Sequence, residues 1–182
     1  MKTVLMNAVA WAAATSSALL LALGSPREPG IVGRLPVVVT HRLDQRPVVL
    51  PQDLAEGKTL ALITFSRAHG QEADSWVRGL QLDTGASGPW MRLPVLSDPG
   101  SDAMREAKTQ RLSARYPSGL DRASMVPVFA DSTSFARTAG LADTRHAYAV
   151  VLNHQGEVLT SVAGPFDEDK AEVLRASLRS PI

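Results

Sequence analysis

The chain has 182 residues, 45% of them hydrophobic, and its 19 basic and 18 acidic residues leave a formal net charge of +1. This length suits one domain with one core behind a short targeting segment, and the balanced charge gives no support to nucleic-acid binding. The sequence contains no cysteine, which excludes disulfides, thiol catalysis and cysteine-ligated zinc within this chain.

The first 24 residues have the pattern of a signal peptide. Lys2 precedes an uncharged stretch from Thr3 to Gly24, and Ala22 and Gly24 place small residues at the two positions that signal peptidase reads. This pattern predicts cleavage after Gly24 and a periplasmic or secreted protein. The alternative is an uncleaved signal anchor that holds the protein at the membrane, because the uncharged length is close to the roughly 20 residues of a membrane span.

Residues 25–35 predict a linker, because they contain prolines and glycines and no hydrophobic periodicity. The domain then spans 36–182, where short apolar runs alternate with helical patterns. The apolar runs predict strands at 37–39, 48–50, 59–65, 91–96, 126–129, 147–152 and 157–162. The helical patterns predict helices at 72–80, from Ser101 to Tyr116, from Asp131 or Ser132 to Gly140, and after Asp167.

The order of these elements predicts an α/β domain with one mixed sheet that is covered on both faces. The runs 59–65 and 91–96 are almost continuously apolar, which is typical of strands buried on both sides. The last two strands flank the turn Asn153–Gly156, so they form a closing hairpin that the C-terminal helix follows.

Three stretches resemble the thioredoxin-like superfamily in its peroxiredoxin-related variant, which has an additional strand–helix insertion. They are the lead-in Leu54–Lys58 with the strand TLALITF after it, the segment Val128–Asp131, and the hairpin Tyr148–Val158. The resemblance implies a three-layer sandwich in which helices lie on both faces of a mixed central sheet.

Two further features are most similar to the mitochondrial ATP synthase assembly-factor family. One is Phe-Ser-Arg with Asp74–Trp76 around the first helix, and the other is Gly164–Asp169 before the last helix. This similarity implies a folding or assembly factor whose partner is a protein, such as a subunit of a membrane complex.

The sequence departs from the redox members of the superfamily at the active site. In those members a thiol lies where the first buried strand meets its helix, because a helix N-terminus lowers the thiol pKa. The corresponding turn here, Ser66–Glu72, has no sulfur. The facing loop reads Arg145-His146-Ala147 and lacks the cis-proline of the redox members. Both departures imply that disulfide exchange and peroxide reduction are absent.

The same turn and loop supply the candidate binding residues. The resemblance implies that His69 and His146 approach each other across the groove, with Glu72 one turn along the helix. Two imidazoles and a carboxylate suit zinc, but no tight metal-binding spacing supports the ion, so neither a metal nor another cofactor is expected. The candidate residues are Arg67, His69, Gln71, Glu72, Arg145 and His146.

These inferences predict an exported, non-redox thioredoxin-like protein that binds another protein and has no catalytic residues. The alternative is an enzyme, either a metal-assisted one or a degenerate relative of the peroxiredoxins. Nucleic acid is not expected as a partner.

Overall fold

The structure is a computed structural model, and it describes residues 30–84 and 88–181. The predicted signal peptide or anchor, residues 1–24, lies outside the described residues, and so do residues 25–29 of the predicted linker. The described strands are β1 (Gly33–Arg34), β2 (Val38–His41), β3 (Pro47–Leu50), β4 (Thr59–Thr64), β5 (Trp90–Leu96), β6 (Val128–Phe129), β7 (Tyr148–Leu152) and β8 (Glu157–Ala163).

The helices follow the predicted positions and add one that was not predicted. They are α1 (Gly70–Gly79), α2 (Asp102–Arg115), α3 (Gly119–Ser124), α4 (Ser132–Thr138) and α5 (Glu168–Arg179). The unpredicted helix is α3, which is only six residues long and buries little apolar surface. Among the described helices, none is long and apolar enough to cross a membrane.

Six strands form one mixed sheet in the order β1-β8-β7-β4-β5-β6, and β2 and β3 form a separate hairpin. The β4–β5 and β5–β6 pairs are parallel, whereas β4–β7, β7–β8 and β1–β8 are antiparallel. The predicted hairpins at 37–50 and 147–162 are therefore both present, and the prediction of a mixed sheet is confirmed.

The central strand β4 separates two hydrophobic cores. Its residues alternate between the faces of the sheet, with Ala61 and Ile63 in one core and Leu60 and Leu62 in the other. Helix α4 and the β2–β3 hairpin contribute to the first core, and α1 and α5 contribute to the second. The predicted three-layer arrangement is confirmed.

Side-chain caps begin three of the helices at the predicted residues. Ser101, Asp131 and Asp167 each accept a hydrogen bond from the backbone N–H three residues later. Such caps satisfy one of the N–H groups that a helix start leaves without a partner. The same pattern at Ser118 begins α3, and it is the signal by which this helix could have been predicted.

Trp76 fixes α1 to the end of the closing hairpin. Its side chain is fully buried, and its indole Nε1 donates to the carbonyl of Gly164 over 2.8 Å. The rings of Trp76 and Phe166 meet edge to face with centroids 5.3 Å apart. Gly79 allows this approach, since a Cβ there would lie 2.3 Å from the Phe166 ring. Trp76 is therefore a core residue, on the buried face of α1.

The end of the predicted linker belongs to the domain, which corrects the boundary at residue 35. Gly33 and Arg34 pair with β8 at the edge of the sheet. A Cβ at Gly33 would lie 2.3 Å from the backbone of Ala139, and Gly140 has a φ of +69° against the carbonyl of Val32. Because these are contacts between backbones, they leave no hydrophobic periodicity from which the strand could be predicted.

Trp76→Ala tests the attachment of α1. The free energy of unfolding should fall by about 3–5 kcal/mol, the usual effect of removing a buried aromatic side chain. Urea denaturation measures it, with Val173→Ala as the control because Val173 is 52% exposed on α5. A loss for Trp76→Ala no larger than that of the control would contradict the assignment.

Gly33→Ala tests whether β1 is part of the folded domain. The added methyl group has to displace the backbone at Ala139, directly after α4, and overpacking of this kind costs about 1–3 kcal/mol. The matched control is Gly30→Ala, where a Cβ meets nothing within 4 Å. Equal thermal melting of the two variants would mean that residues 30–35 are a linker after all.

Candidate functional site

The candidate site begins where β4 leaves the sheet. Ser66 is extended, and a 3₁₀ turn of Arg67–His69 leads into α1 at Gly70. Neither Ser66 nor His69 caps the helix with its side chain. The backbone N–H groups at a helix start carry partial positive charge, so this junction presents an electropositive helix end.

The two histidines make different contacts. His69 is buried, and its Nδ1 accepts the backbone N–H of Phe65 over 3.3 Å. His146 is half exposed and its Nδ1 lies 3.4 Å from Oε1 of Glu72. No group of three or more histidine, aspartate or glutamate side chains with metal-binding geometry occurs in 30–84 or 88–181. The zinc set considered from the sequence, His69 with Glu72 and His146, is therefore not assembled.

Glu72 closes the groove between α1 and the facing loop. Its Oε2 accepts the backbone N–H of Ala147 over 2.7 Å, while Oε1 faces His146. This N–H belongs to the loop that, by the resemblance, faces the thiol in redox members. Because the chain's own carboxylate takes up the donor, a bound peptide would first have to displace Glu72.

Asp143 shapes the loop in front of β7. Its carboxylate accepts the backbone N–H of Arg145 over 2.9 Å and the guanidinium Nε over 2.7 Å. The Tyr148 hydroxyl lies 3.3 Å from the same carboxylate. The backbone N–H of Arg145, followed by its guanidinium, holds the pKa of Asp143 below its ordinary value of 3.8. Arg145 thus stabilises this loop through its bonds to Asp143, and its side chain is exposed to solvent.

A cleft of about 600 Å³ opens on the other side of Arg67. It lies at the carboxyl ends of the parallel strands β4 and β5, between α1 and α2, which is where open α/β sheets bind ligands. Arg67 lines this cleft, and Gln71 lines an adjoining depression that shares Arg67 and Arg115 with it. Of the six predicted residues, only Arg67 and Gln71 line these depressions.

Arg92 was not singled out from the sequence, although it lies at the base of this cleft. It comes from β5 and is 7% exposed, and its Nη1 donates to Oδ1 of Asp74 on α1 over 2.6 Å. Its guanidinium carbon is 5.4 Å from the Tyr116 ring centroid and 6.0 Å from that of Trp90. A charged residue inside an otherwise apolar strand is rarely buried without a partner, and this signal could have identified Arg92.

Helix α2 adds three further cations to the cleft. Lys108, Arg111 and Arg115 all line it, and their spacing of three and four residues places them on one side of the helix. No residue of α2 is buried. The spacing was visible in the sequence, but the position of α2 over the strand ends was not.

Comparison with known proteins identifies the fold. No protein-family model matches the sequence, and no curated protein matches it. BsSco, a member of the Sco family of cytochrome c oxidase assembly proteins, is similar over 81% of this chain and 95% of its own, with 18% identity and a TM-score of 0.50. The exposed lipoprotein thioredoxin Etrx1 of Streptococcus pneumoniae strain TIGR4 is similar over 79% of this chain and 100% of its own, with 14% identity and a TM-score of 0.51.

A third solved structure agrees with these two. It is a Chlorobium tepidum protein described as the thiol:disulfide interchange protein DsbE, similar over 80% of this chain and 94% of its own, with 16% identity and a TM-score of 0.51. The chain therefore has the thioredoxin-like fold that its sequence implied. The narrower resemblance to the ATP synthase assembly-factor family stays a prediction.

The lowered pKa of Asp143 predicts a pH-dependent effect of Asp143→Ala. A carboxyl group with a lowered pKa in the folded state stabilises the fold above its unfolded pKa, and this stabilisation is lost as the pH falls through the folded value. We therefore expect Asp143→Ala to lower the melting temperature at pH 7, and the difference from the parent protein to narrow as the pH falls below the ordinary value of 3.8.

Circular dichroism melts at several pH values measure this difference. The control is Glu56→Ala, because Glu56 is exposed and should show little difference at any pH. A melting-temperature difference for Asp143→Ala that stayed constant from neutral to acid would contradict the role of its charge.

Proposed function

We propose that this thioredoxin-like protein is an exported, non-redox binding module that takes part in the folding or assembly of a protein partner. The usual position of the redox thiol is occupied here by the turn Ser66–Glu72, which has no cysteine. With thiol chemistry excluded, binding is the function that the cleft described above supports best.

The observation that carries the proposal is the cleft beside Arg67. Its volume of about 600 Å³ is within the range of ligand sites in proteins. It also lies at the carboxyl ends of β4 and β5, where folds with parallel strands place their ligands. Helix α2 forms one wall and buries none of its residues, so an occupant of the cleft would gain contacts that the domain itself does not make.

The side of α1 that carries Glu72 supports binding less well. The Glu72 carboxylate already accepts the Ala147 N–H and faces His146. A partner on that side would compete with a hydrogen bond inside the protein, whereas a partner in the cleft would not. We therefore place the partner on the α2 side of the β4–α1 junction, with Arg67 and Gln71 at its edge.

The cellular setting belongs to the same proposal. Residues 1–24 have the pattern of an export signal or anchor. Among the similar structures, BsSco belongs to a family of assembly proteins and Etrx1 is an exposed lipoprotein. We propose a periplasmic or secreted location, with or without membrane anchoring, and a subunit of a membrane complex as the partner.

Site-specific photo-crosslinking tests the proposal. A benzophenone amino acid at Leu112 lies in the wall of the cleft, and the same amino acid at the exposed Val173 on α5 is the matched control. In cells of the native host, we expect a discrete protein adduct from position 112 and none from position 173. The absence of an adduct at 112, or the same adducts from both positions, would contradict binding through the cleft.

A further inference from the structure

The cleft concentrates positive charge in a chain that is nearly neutral. Five cationic side chains line it and no carboxylate does, although the whole sequence has a net charge of only +1. The five are Arg67, Arg92, Lys108, Arg111 and Arg115. Like charges that line one cleft repel one another, so an anionic occupant would stabilise the arrangement.

Three of these arginines have no carboxylate partner among the described residues, whereas six arginines elsewhere do. Arg67, Arg111 and Arg115 form no ion pair with any described residue. By contrast, Arg105 lies 2.8 Å from Asp98, and Arg175 lies 2.6 Å from Glu172. The cleft therefore holds three guanidinium groups whose charge no carboxylate of the described residues neutralises.

Arg92 gives a second and independent indication of a ligand. It is more than nine-tenths buried, and its Nε is buried without a hydrogen-bond partner. Within the described part of the chain, Asp74 is the only side chain to which it donates. Because buried polar groups are almost always hydrogen-bonded in native proteins, an incompletely satisfied guanidinium at the base of a cleft points to an anion from outside.

The remaining lining narrows the chemistry of the occupant. Phe65, Pro94, Leu112 and Met125 give the cleft apolar walls between the charges. A polyphosphate backbone would leave these walls without a partner, whereas a peptide that combines acidic and apolar side chains would use both. The concave shape also differs from the extended basic surface that nucleic-acid binding favours.

We propose that the cleft binds an acidic, partly apolar segment of a protein, with its carboxylates on the arginine side chains and its apolar residues on the cleft walls. Arginine suits this task because its planar guanidinium matches a carboxylate and stays charged. The proposal rests on the proposed protein-binding function and adds the chemistry of the partner.

The probe is a peptide selected from a random heptapeptide library for binding to the full chain. We expect the selected peptides to be enriched in aspartate and glutamate together with leucine or phenylalanine. Enrichment of neutral or basic peptides, or no enrichment, would overturn the proposal. The selected peptide is then labelled with fluorescein, and its affinity is measured by fluorescence polarisation beside a version with amides in place of its carboxylates.

The double variant Arg111→Gln/Arg115→Gln locates the binding. We expect this variant to bind the acidic peptide about tenfold more weakly than the parent protein does. The amide version of the peptide should bind the parent protein more weakly than the acidic version does, to a similar extent. The matched control is Arg137→Gln/Arg179→Gln, which removes the same charge from exposed positions on α4 and α5 and should change the affinity less than about twofold. Thermal melting confirms that all variants are folded.

The remaining outcomes separate this inference from the proposed function. Equal affinity of both double variants for the peptide would overturn the assignment of the binding site to the cleft. Heparin or single-stranded DNA that competes with the labelled peptide more strongly than the unlabelled peptide does would overturn the choice of an acidic peptide as the ligand. If crosslinking at Leu112 yields a partner while acidic peptides do not bind, only the inference fails. If both experiments are negative, the proposed function fails as well.

Discussion

The burial of β4 and β7 on both faces is the constraint on which the rest of the structure depends. A strand that has side chains in two cores needs cover on two sides, so helices and a hairpin have to pack above and below it. β4 alternates strictly, and β7 does the same, with Val150 in one core and Val151 in the other. This fixed register determines where β4 leaves the sheet. The turn at Ser66 and the cleft beside it lie at that end of the strand.

Helix α1 divides the junction into two different surfaces. Glu72 and Asp74 are two residues apart, so they project to different sides of the helix. Glu72 reaches the loop before β7 and bonds to the Ala147 N–H, whereas Asp74 reaches β5 and bonds to Arg92. On the Glu72 side of α1, the protein's own carboxylate occupies the groove. On the Asp74 side, the buried guanidinium of Arg92 lies at the base of an open cleft.

The sequence predicted the elements whose signals are local. Apolar runs located the central strands, and the caps Ser101, Asp131 and Asp167 located three helix starts within a residue. β1 could not be predicted in this way, because its position depends on close backbone contacts at Gly33, which leave no hydrophobic pattern in the sequence.

The candidate site was predicted only in part, for a related physical reason. Arg67 lies in the β4–α1 turn, and the resemblance to thioredoxin-like proteins implies the position of this turn. Arg67 could therefore be predicted from the sequence. Arg92, Arg111 and Arg115 meet only because β5 and α2 converge at the same edge of the sheet. That convergence is a tertiary property. The contacts of His69 and His146 are tertiary as well: the two were expected to approach each other, but His69 accepts the Phe65 N–H and His146 faces Glu72.

The uncapped start of α1 has a consequence for how this fold can be studied. A helix end and nearby arginines are the features that favour a thiolate over a thiol. Ser66→Cys would introduce the only thiol of the chain, at an exposed position directly before this helix end. The Ser66→Cys variant would therefore contain one thiol and lack both the second cysteine and the cis-proline of the redox proteins. The pKa of that thiol would report the electrostatic effect of the helix end and the arginines alone.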